Sequence, residues 1–205
     1  MAFYRSQVLP RLVDRVLGTP DIGNWRAEVA AGLHGRVVEI GFGSGLNVEH
    51  YPAEVEAVLA VEPAAVAMKL ARKRIATSRV AIEHVGVDGQ SVPMAGESCD
   101  AALSTFTLCT VAHPAAALSE IFRVLRPGGT LHFLEHGISP DPRVAAWQRR
   151  LEPLQRLLAG GCHLTRDPAT IVTRAGFQLK RCDHAYAKGP KPWSYFTLGV
   201  AEKPR

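Results

Sequence analysis

Val37-Val38-Glu39-Ile40-Gly41-Phe42-Gly43-Ser44-Gly45-Leu46-Asn47 is the stretch that decides the fold. Val37 to Ile40 read as a short buried strand, with β-branched residues around a single acid. Three glycines then alternate with Phe42 and Ser44, and Leu46-Asn47-Val48-Glu49 is expected to open a helix. Glycine suits a turn that needs positive φ and a backbone that lies against a ligand. A strand running through such a turn into a helix N-terminus offers free N–H groups and a partial positive pole. A dinucleotide loop of the form Gly-x-Gly-x-x-Gly puts its third glycine at position 46, where this chain has Leu46. A tight strand-to-helix turn without a ligand is the other reading of the same residues.

Downstream of this loop, strand-like and helix-like pieces alternate. Residues 57–61, 80–85, 100–103 and 130–134 read as strands, and 64–76 and 114–125 as helices, the latter with Pro114 in its first turn. This order implies a parallel sheet with right-handed crossovers and a binding crevice beyond the strands' carboxyl ends. Residues 147–158 and 168–175 read as further helices. Residues 177–183 and 194–201 read as two strands with no helix between them, which must pair antiparallel. Ahead of the loop, residues 3–17 and 22–33 have helical apolar spacing. They either form a lid over the crevice or pack on one face of the sheet.

The chain of 205 residues is expected to form one domain, 1–205, with N-terminal helices at 1–34, a core at 35–135 and the last helices and strand pair at 136–205. With 47% hydrophobic and 21% charged residues it reads as globular, and no apolar run is long enough to span a bilayer. Residues 1–15 lack the basic-then-apolar order of a secretion signal, so a cytoplasmic protein is expected. Its four cysteines, Cys99, Cys109, Cys162 and Cys182, include no Cys-x-x-Cys pair, so neither a metal cluster nor a disulfide framework is indicated. The net charge of +5 is scattered rather than clustered, and no nucleic-acid partner is expected.

Three further signals follow the glycine loop. Val61-Glu62-Pro63 puts an acid at the end of the second strand, 17 residues after Gly45. A carboxylate there can accept hydrogen bonds from both hydroxyls of a ribose, each worth roughly 1.5–3 kcal/mol. A nicotinamide site also wants an acid near this spacing, and an acid capping the next helix would look the same. Val87-Asp88-Gly89-Gln90 is by itself a turn. Phe122-Arg123-Val124-Leu125-Arg126-Pro127-Gly128-Gly129-Thr130-Leu131 is expected to end a helix at Gly-Gly and enter the fifth strand.

In this order and spacing, the four signals resemble the class I S-adenosylmethionine-dependent methyltransferases over about residues 35–135, especially the ubiquinone/menaquinone C-methyltransferase branch. The resemblance implies an α/β, Rossmann-like, seven-stranded and mostly parallel sheet with one antiparallel strand and helices on both faces. It implies S-adenosylmethionine as cofactor. Gly41, Phe42, Gly43, Gly45 and Asn47 would wrap its methionine part and Glu39 would help hold its ammonium end. Glu62 and Pro63 would meet the ribose, and Asp88 with Gly89 the adenine edge. Thr105 and Phe106 would border the methionine part.

A narrower likeness continues beyond the core. Trp147-Gln148 through Leu151-Glu152-Pro153, then Gly161-Cys162-His163-Leu164-Thr165-Arg166, resemble the group that includes mammalian alkyl-thiol S-methyltransferases, as do Leu108-Cys109 and Glu135-His136. Unlike that group, the chain is expected to lack an N-terminal membrane anchor, and no stable membrane insertion is expected. The implied function is methyl transfer to a small, apolar acceptor, a thiol ahead of a phenolic or quinone-like ring. A nicotinamide oxidoreductase and a non-catalytic S-adenosylmethionine-binding protein are the alternatives. His136, directly after the fifth strand, is the first candidate for the catalytic base and His163 the second. His113 before Pro114 can simply start a helix, and Tyr186, Trp193 and Tyr195 can wall a pocket or pack.

Overall fold

The computed structural model describes residues 3–205. Seven strands form one sheet in the order β3-β2-β1-β4-β5-β7-β6. They are β1 (Gly35–Ile40), β2 (Val55–Val61), β3 (Ala81–Gly86), β4 (Cys99–Thr105), β5 (Leu125–His136), β6 (Gln178–Tyr186) and β7 (Tyr195–Glu202). β1, β2, β3, β4 and β5 pair in parallel, whereas β7 runs antiparallel to both of its neighbours. The expected sheet with one antiparallel strand is therefore the one observed.

Side-chain alternation along the central strands divides the core in two. Val38 and Ile40 of β1 pack with Leu118 and Ile121 of α4 (Pro114–Val124) and Val172 of α6 (Pro168–Arg174). Val37 faces the other way, with Val29 and Ala30 of α2 (Pro20–Ala30) and Ala71 of α3 (Ala65–Ala76). Helices thus cover both faces, as buried parallel strands require. Before α2 lies α1 (Leu9–Leu17), entered through a π-helical turn at Tyr4–Val8; α5 (Pro142–Leu158) and the short α7 (Lys191–Ser194) complete the helices used below. No described helix is long and apolar enough to cross a membrane.

Two local expectations are corrected. The residues after the glycine loop do not open an α-helix: only a 3-10 turn forms at Val48–His50. Pro52 favours an extended Tyr51 before it, observed at φ −65° and ψ 126°, and this stops the turn. The loop therefore has no helix dipole behind it. Likewise, Gly-Gly does not end α4. The helix stops at Val124 and β5 begins at Leu125, with Arg126 biased to extended backbone by Pro127. Pro127-Gly128-Gly129 then sits within a strand whose pairing to β4 slips in register, with Gly128 at φ +82° donating its N–H to the Lys203 carbonyl at 2.8 Å.

Candidate active site

The strand order reverses between β1 and β4, so the tips of these two strands frame the crevice. Gly41 at the β1 tip takes φ +74°, and its N–H bonds the Val61 carbonyl of β2 at 2.9 Å. A Cβ at Gly41 would collide with Thr107 of the β4 loop, so glycine is required there for packing as well as for backbone angle. At Gly43, with φ +59°, a Cβ would meet only the Gly41 carbonyl oxygen, at an ordinary contact distance of 3.8 Å. The Phe42 side chain turns into the core, leaving its backbone as the part a ligand could meet.

Glu39 lies on the α2 face of β1 and is fully buried. It accepts hydrogen bonds from Asn47 Nδ2 at 2.8 Å and from the Tyr51 hydroxyl. Burial pushes its pKa up to about 7, against the pull of these donors and of Arg26. Arg26, projecting from α2, donates to Asn47 Oδ1 at 2.7 Å and Thr105 Oγ1 at 2.9 Å, and its guanidinium lies 5.4 Å from the centre of the Phe106 ring. Burial lowers its pKa to about 10. Arg26 Nε is buried with no partner among the described residues, and Arg26 lines a cleft of about 390 Å³ together with Gly18, Leu46, His50 and Arg74. A buried guanidinium N–H without an acceptor is costly, and an anionic ligand group would satisfy it.

At the β2 tip, Glu62 is buried, and its two carboxylate oxygens accept the N–H of Gly43 at 2.8 Å and of Ala64 at 2.7 Å. Burial raises its pKa. Each oxygen keeps a lone pair for a further donor, as two ribose hydroxyls would need. Pro63 beside it is exposed. After β3, Asp88 is exposed and caps its own turn by accepting the Gln90 N–H at 2.8 Å. A Cβ at Gly89 would collide with Ile40, so this turn lies close against the tip of β1. Thr105 is buried with its hydroxyl engaged by Arg26 and Asn47, and Phe106 takes the left-handed φ of +54°. The loop, Glu39, Asn47, Glu62, Gly89, Thr105 and Phe106 thus gather around the strand tips.

His136 ends β5, with its ring packed against Phe106 and Phe196 at centroid distances of 5.3 and 5.2 Å. Its Nδ1 lies 3.7 Å from Cys109 Sγ and 3.6 Å from Cys162 Sγ, and the two sulfurs are 3.6 Å apart. Burial opposes a charged ring, yet hydrogen bonding and charge from Cys162 carry the His136 pKa above its ordinary value. Cys162 lies well below the usual thiol range, because of its hydrogen bond with Cys109 and the His136 ring beside it. His163 does not join this group: its Nδ1 pairs with Glu152 of α5 at 2.8 Å.

Two contributors escape a reading of the linear sequence. Arg26 and Tyr51 carry no motif, and only folding brings them under the loop. The segments that carry Cys109, Cys162 and Glu135 belong to the narrower likeness, but no spacing signature brings the two cysteines together. Glu135 accepts from the N–H groups of Thr107, Leu108 and Cys109 and from the Ser104 hydroxyl.

Comparisons with known proteins agree with this geometry. A methyltransferase domain family model matches residues 38–133. The thiol S-methyltransferase TMT1B of Homo sapiens is 36% identical over 174 residues, covering 82% of this chain and 69% of that protein. The ubiquinone/menaquinone biosynthesis C-methyltransferase UbiE of Syntrophotalea carbinolica is 29% identical over 153 residues, covering 70% of this chain and 64% of that protein. The chain spans about two thirds of the length of its thiol S-methyltransferase relatives, 66–69%. In fold it is similar to a phosphoethanolamine N-methyltransferase of Haemonchus contortus solved with S-adenosylhomocysteine. The TM-score is 0.72 at 15% identity, over 99% of this chain and 60% of that one. With its strand-tip loop, its paired acids and these relatives, the chain belongs to the class I S-adenosylmethionine-dependent methyltransferases, and S-adenosylmethionine is its cofactor.

Proposed function

We propose that the chain methylates a small apolar thiol. The observation that carries this reading is a convergence. Leu108-Cys109, Glu135-His136 and Gly161-Cys162, the pieces of sequence behind the narrower likeness to thiol methyltransferases, meet in one cluster at the ends of β4 and β5. The identity to a thiol S-methyltransferase supports it as well.

Bound at the strand tips, S-adenosylmethionine supplies an electrophilic methyl group. The chain's residues then have separate tasks. Glu62 would hold the ribose hydroxyls and the Asp88-Gly89 turn the adenine edge. Glu39 would face the ammonium group, while the unpartnered Nε of Arg26 would take the carboxylate. The backbone of Gly41 to Gly45 would lie against the methionine part. A simple alkyl thiol is a weaker acid than the cysteine thiol, which titrates at about 8.5, so very little of it is ionised at neutral pH and its proton must be taken up as it reacts. The protein's contribution is then removal of that proton together with alignment of the acceptor sulfur, the latter worth on the order of 7–11 kcal/mol. His136 is the proposed proton acceptor on this edge, and His163, held by Glu152, would orient the segment that carries Cys162.

The test is production of S-adenosylhomocysteine with a panel of alkyl thiols, phenols, reduced quinones and amines. The expected result is turnover of thiols above the other acceptors, lowered at least tenfold in His136→Ala with cofactor affinity unchanged. Turnover of a reduced quinone alone would move the acceptor to the class named in the UbiE relative. No turnover with any acceptor would favour a binding protein.

A further inference from the structure

We propose that Cys109, His136 and Cys162 form a three-ligand site for zinc, whose open fourth position takes the acceptor sulfur. This rests on the thiol reading above and adds to it how that thiol is chosen and ionised.

Geometry comes first. In a tetrahedral site with Zn–S near 2.3 Å and Zn–N near 2.0–2.1 Å, two sulfurs stand about 3.8 Å apart and a sulfur and a nitrogen about 3.5 Å apart. The observed edges are 3.6 Å between sulfurs and 3.6 and 3.7 Å from sulfur to His136 Nδ1. All three edges of one face of the tetrahedron are already in place. Among the described residues the group has these three ligands and no fourth. Structural zinc sites are closed by four protein ligands, whereas three ligands and an open position are the pattern of reactive sites.

Rigidity comes second. Glu135 fixes the Cys109 loop by accepting three successive backbone N–H groups, from Thr107, Leu108 and Cys109, at 2.9–3.1 Å. The His163 N–H bonds the Cys109 carbonyl at 2.8 Å, which ties the Cys162 segment to the same loop. Arg166 secures it from the other side through the Val111 carbonyl at 2.8 Å. The three ligands thus come from separate stretches that are braced against one another before any ion arrives.

Charge comes third. With both cysteines as thiolates the ligand set itself carries −2, which a divalent cation neutralises. Two thiolates and an imidazole are a soft donor set that suits zinc over magnesium or calcium. A soft metal in turn prefers a thiol acceptor over a phenol. With the ion bound, His136 is a ligand rather than the proton acceptor, and the acceptor thiol would bind the ion and release its proton to solvent. The lone pair of the thiolate then forms the new carbon–sulfur bond as the bond between methyl and sulfonium breaks. The products are the methyl thioether and neutral-sulfur S-adenosylhomocysteine, and the ion's charge is unchanged throughout.

The experiment uses the whole chain, stripped of metal and kept reduced with a phosphine, and titrated with cobalt(II) and then zinc. A thiolate-to-cobalt charge-transfer band that saturates at about one equivalent, is displaced by zinc and changes on addition of hexanethiol is the expected result. Cys162→Ala and Cys109→Ala should lose the band and weaken zinc binding by about tenfold or more. Cys182→Ala should match the wild type, and retained S-adenosylhomocysteine binding shows that each variant is folded. The wild-type titration decides the matter even if a variant does not fold. No charge-transfer band, a band undiminished in folded Cys162→Ala, or one indifferent to hexanethiol would overturn the proposal. So would full thiol turnover by the metal-free chain, and that result would leave the thiol reading standing. A site that loads cobalt and binds hexanethiol in a chain that methylates no thiol would uphold the metal site and sink the thiol reading instead.

Discussion

Glu39 and Glu62 do different work, although both are buried acids at neighbouring strand tips. Glu62 is held by two backbone N–H groups and keeps lone pairs for a sugar. Replacing it with alanine removes two charge-assisted acceptors, each worth roughly 1.5–3 kcal/mol. Glu62→Ala should weaken S-adenosylhomocysteine binding by about a hundredfold or more in calorimetry, and unchanged affinity would contradict its place at the ribose. Glu39 has its pKa raised to about 7 from an ordinary 4.5. An acid raised in this way lends its full stability below about pH 4.5, and that stability is lost as pH rises to about 7. The loss is on the order of 3 kcal/mol. The melting temperature of the ligand-free wild type should therefore fall relative to Glu39→Gln between pH 5 and pH 8; a constant difference would refute this. An ammonium group favours the ionised form, so cofactor binding near pH 6 should release a proton. Calorimetry in two buffers of different ionisation enthalpy measures that release directly. At this scale the acids were legible because each stands at a strand end. Arg26 and Tyr51 were not, since a buried arginine on a helix has no signature until its neighbours are known.

The glycine loop shows how one element combines two constraints. Gly41 faces Thr107 with no room for a methyl group, whereas a methyl group at Gly43 would make only an ordinary contact with the Gly41 carbonyl. Gly41→Ala should destabilise the fold by several kcal/mol through overpacking and positive φ. Gly43→Ala should cost about 1 kcal/mol in stability, yet remove most cofactor affinity by filling the space beside the ligand. Chemical denaturation and calorimetry on the two variants separate these effects; equal losses of stability would contradict the assignment. The strands and most helices were legible from apolar periodicity. The two misread boundaries both involve proline: Pro52 cuts short the turn after the loop, and Pro127 begins the strand early. In each case the residue before proline is driven to extended backbone, a local effect that outweighed helix periodicity.

Across the whole molecule, the α/β order and the closing antiparallel pair were legible, because two strands without an intervening helix leave no alternative. What folding added is the meeting of distant pieces. Cys109, His136 and Cys162 come from three separate stretches, and Asp14 of α1 reaches Arg74 of α3 at 2.8 Å. Arg74 also donates to the Ser44 carbonyl of the glycine loop at 2.9 Å, so one side chain ties the N-terminal helix and the cofactor loop together. The ion pair is partly exposed and worth at most about 1 kcal/mol. If the N-terminal helices act as a lid, Arg74→Ala should raise the cofactor off-rate by up to about fivefold while melting within a few degrees of the wild type. Stopped-flow displacement checks this, and an unchanged off-rate would leave those helices as packing alone.

The most direct measurement of the central claim is a crystal structure of the chain with S-adenosylhomocysteine. Both ribose hydroxyls should lie within hydrogen-bond distance of Glu62, the amino-acid tail along Gly41 to Gly45 with its carboxylate on Arg26, and the sulfur should turn toward the His136 side of the crevice. A ligand bound at any other surface, or in the crevice with its ribose away from Glu62, would contradict it.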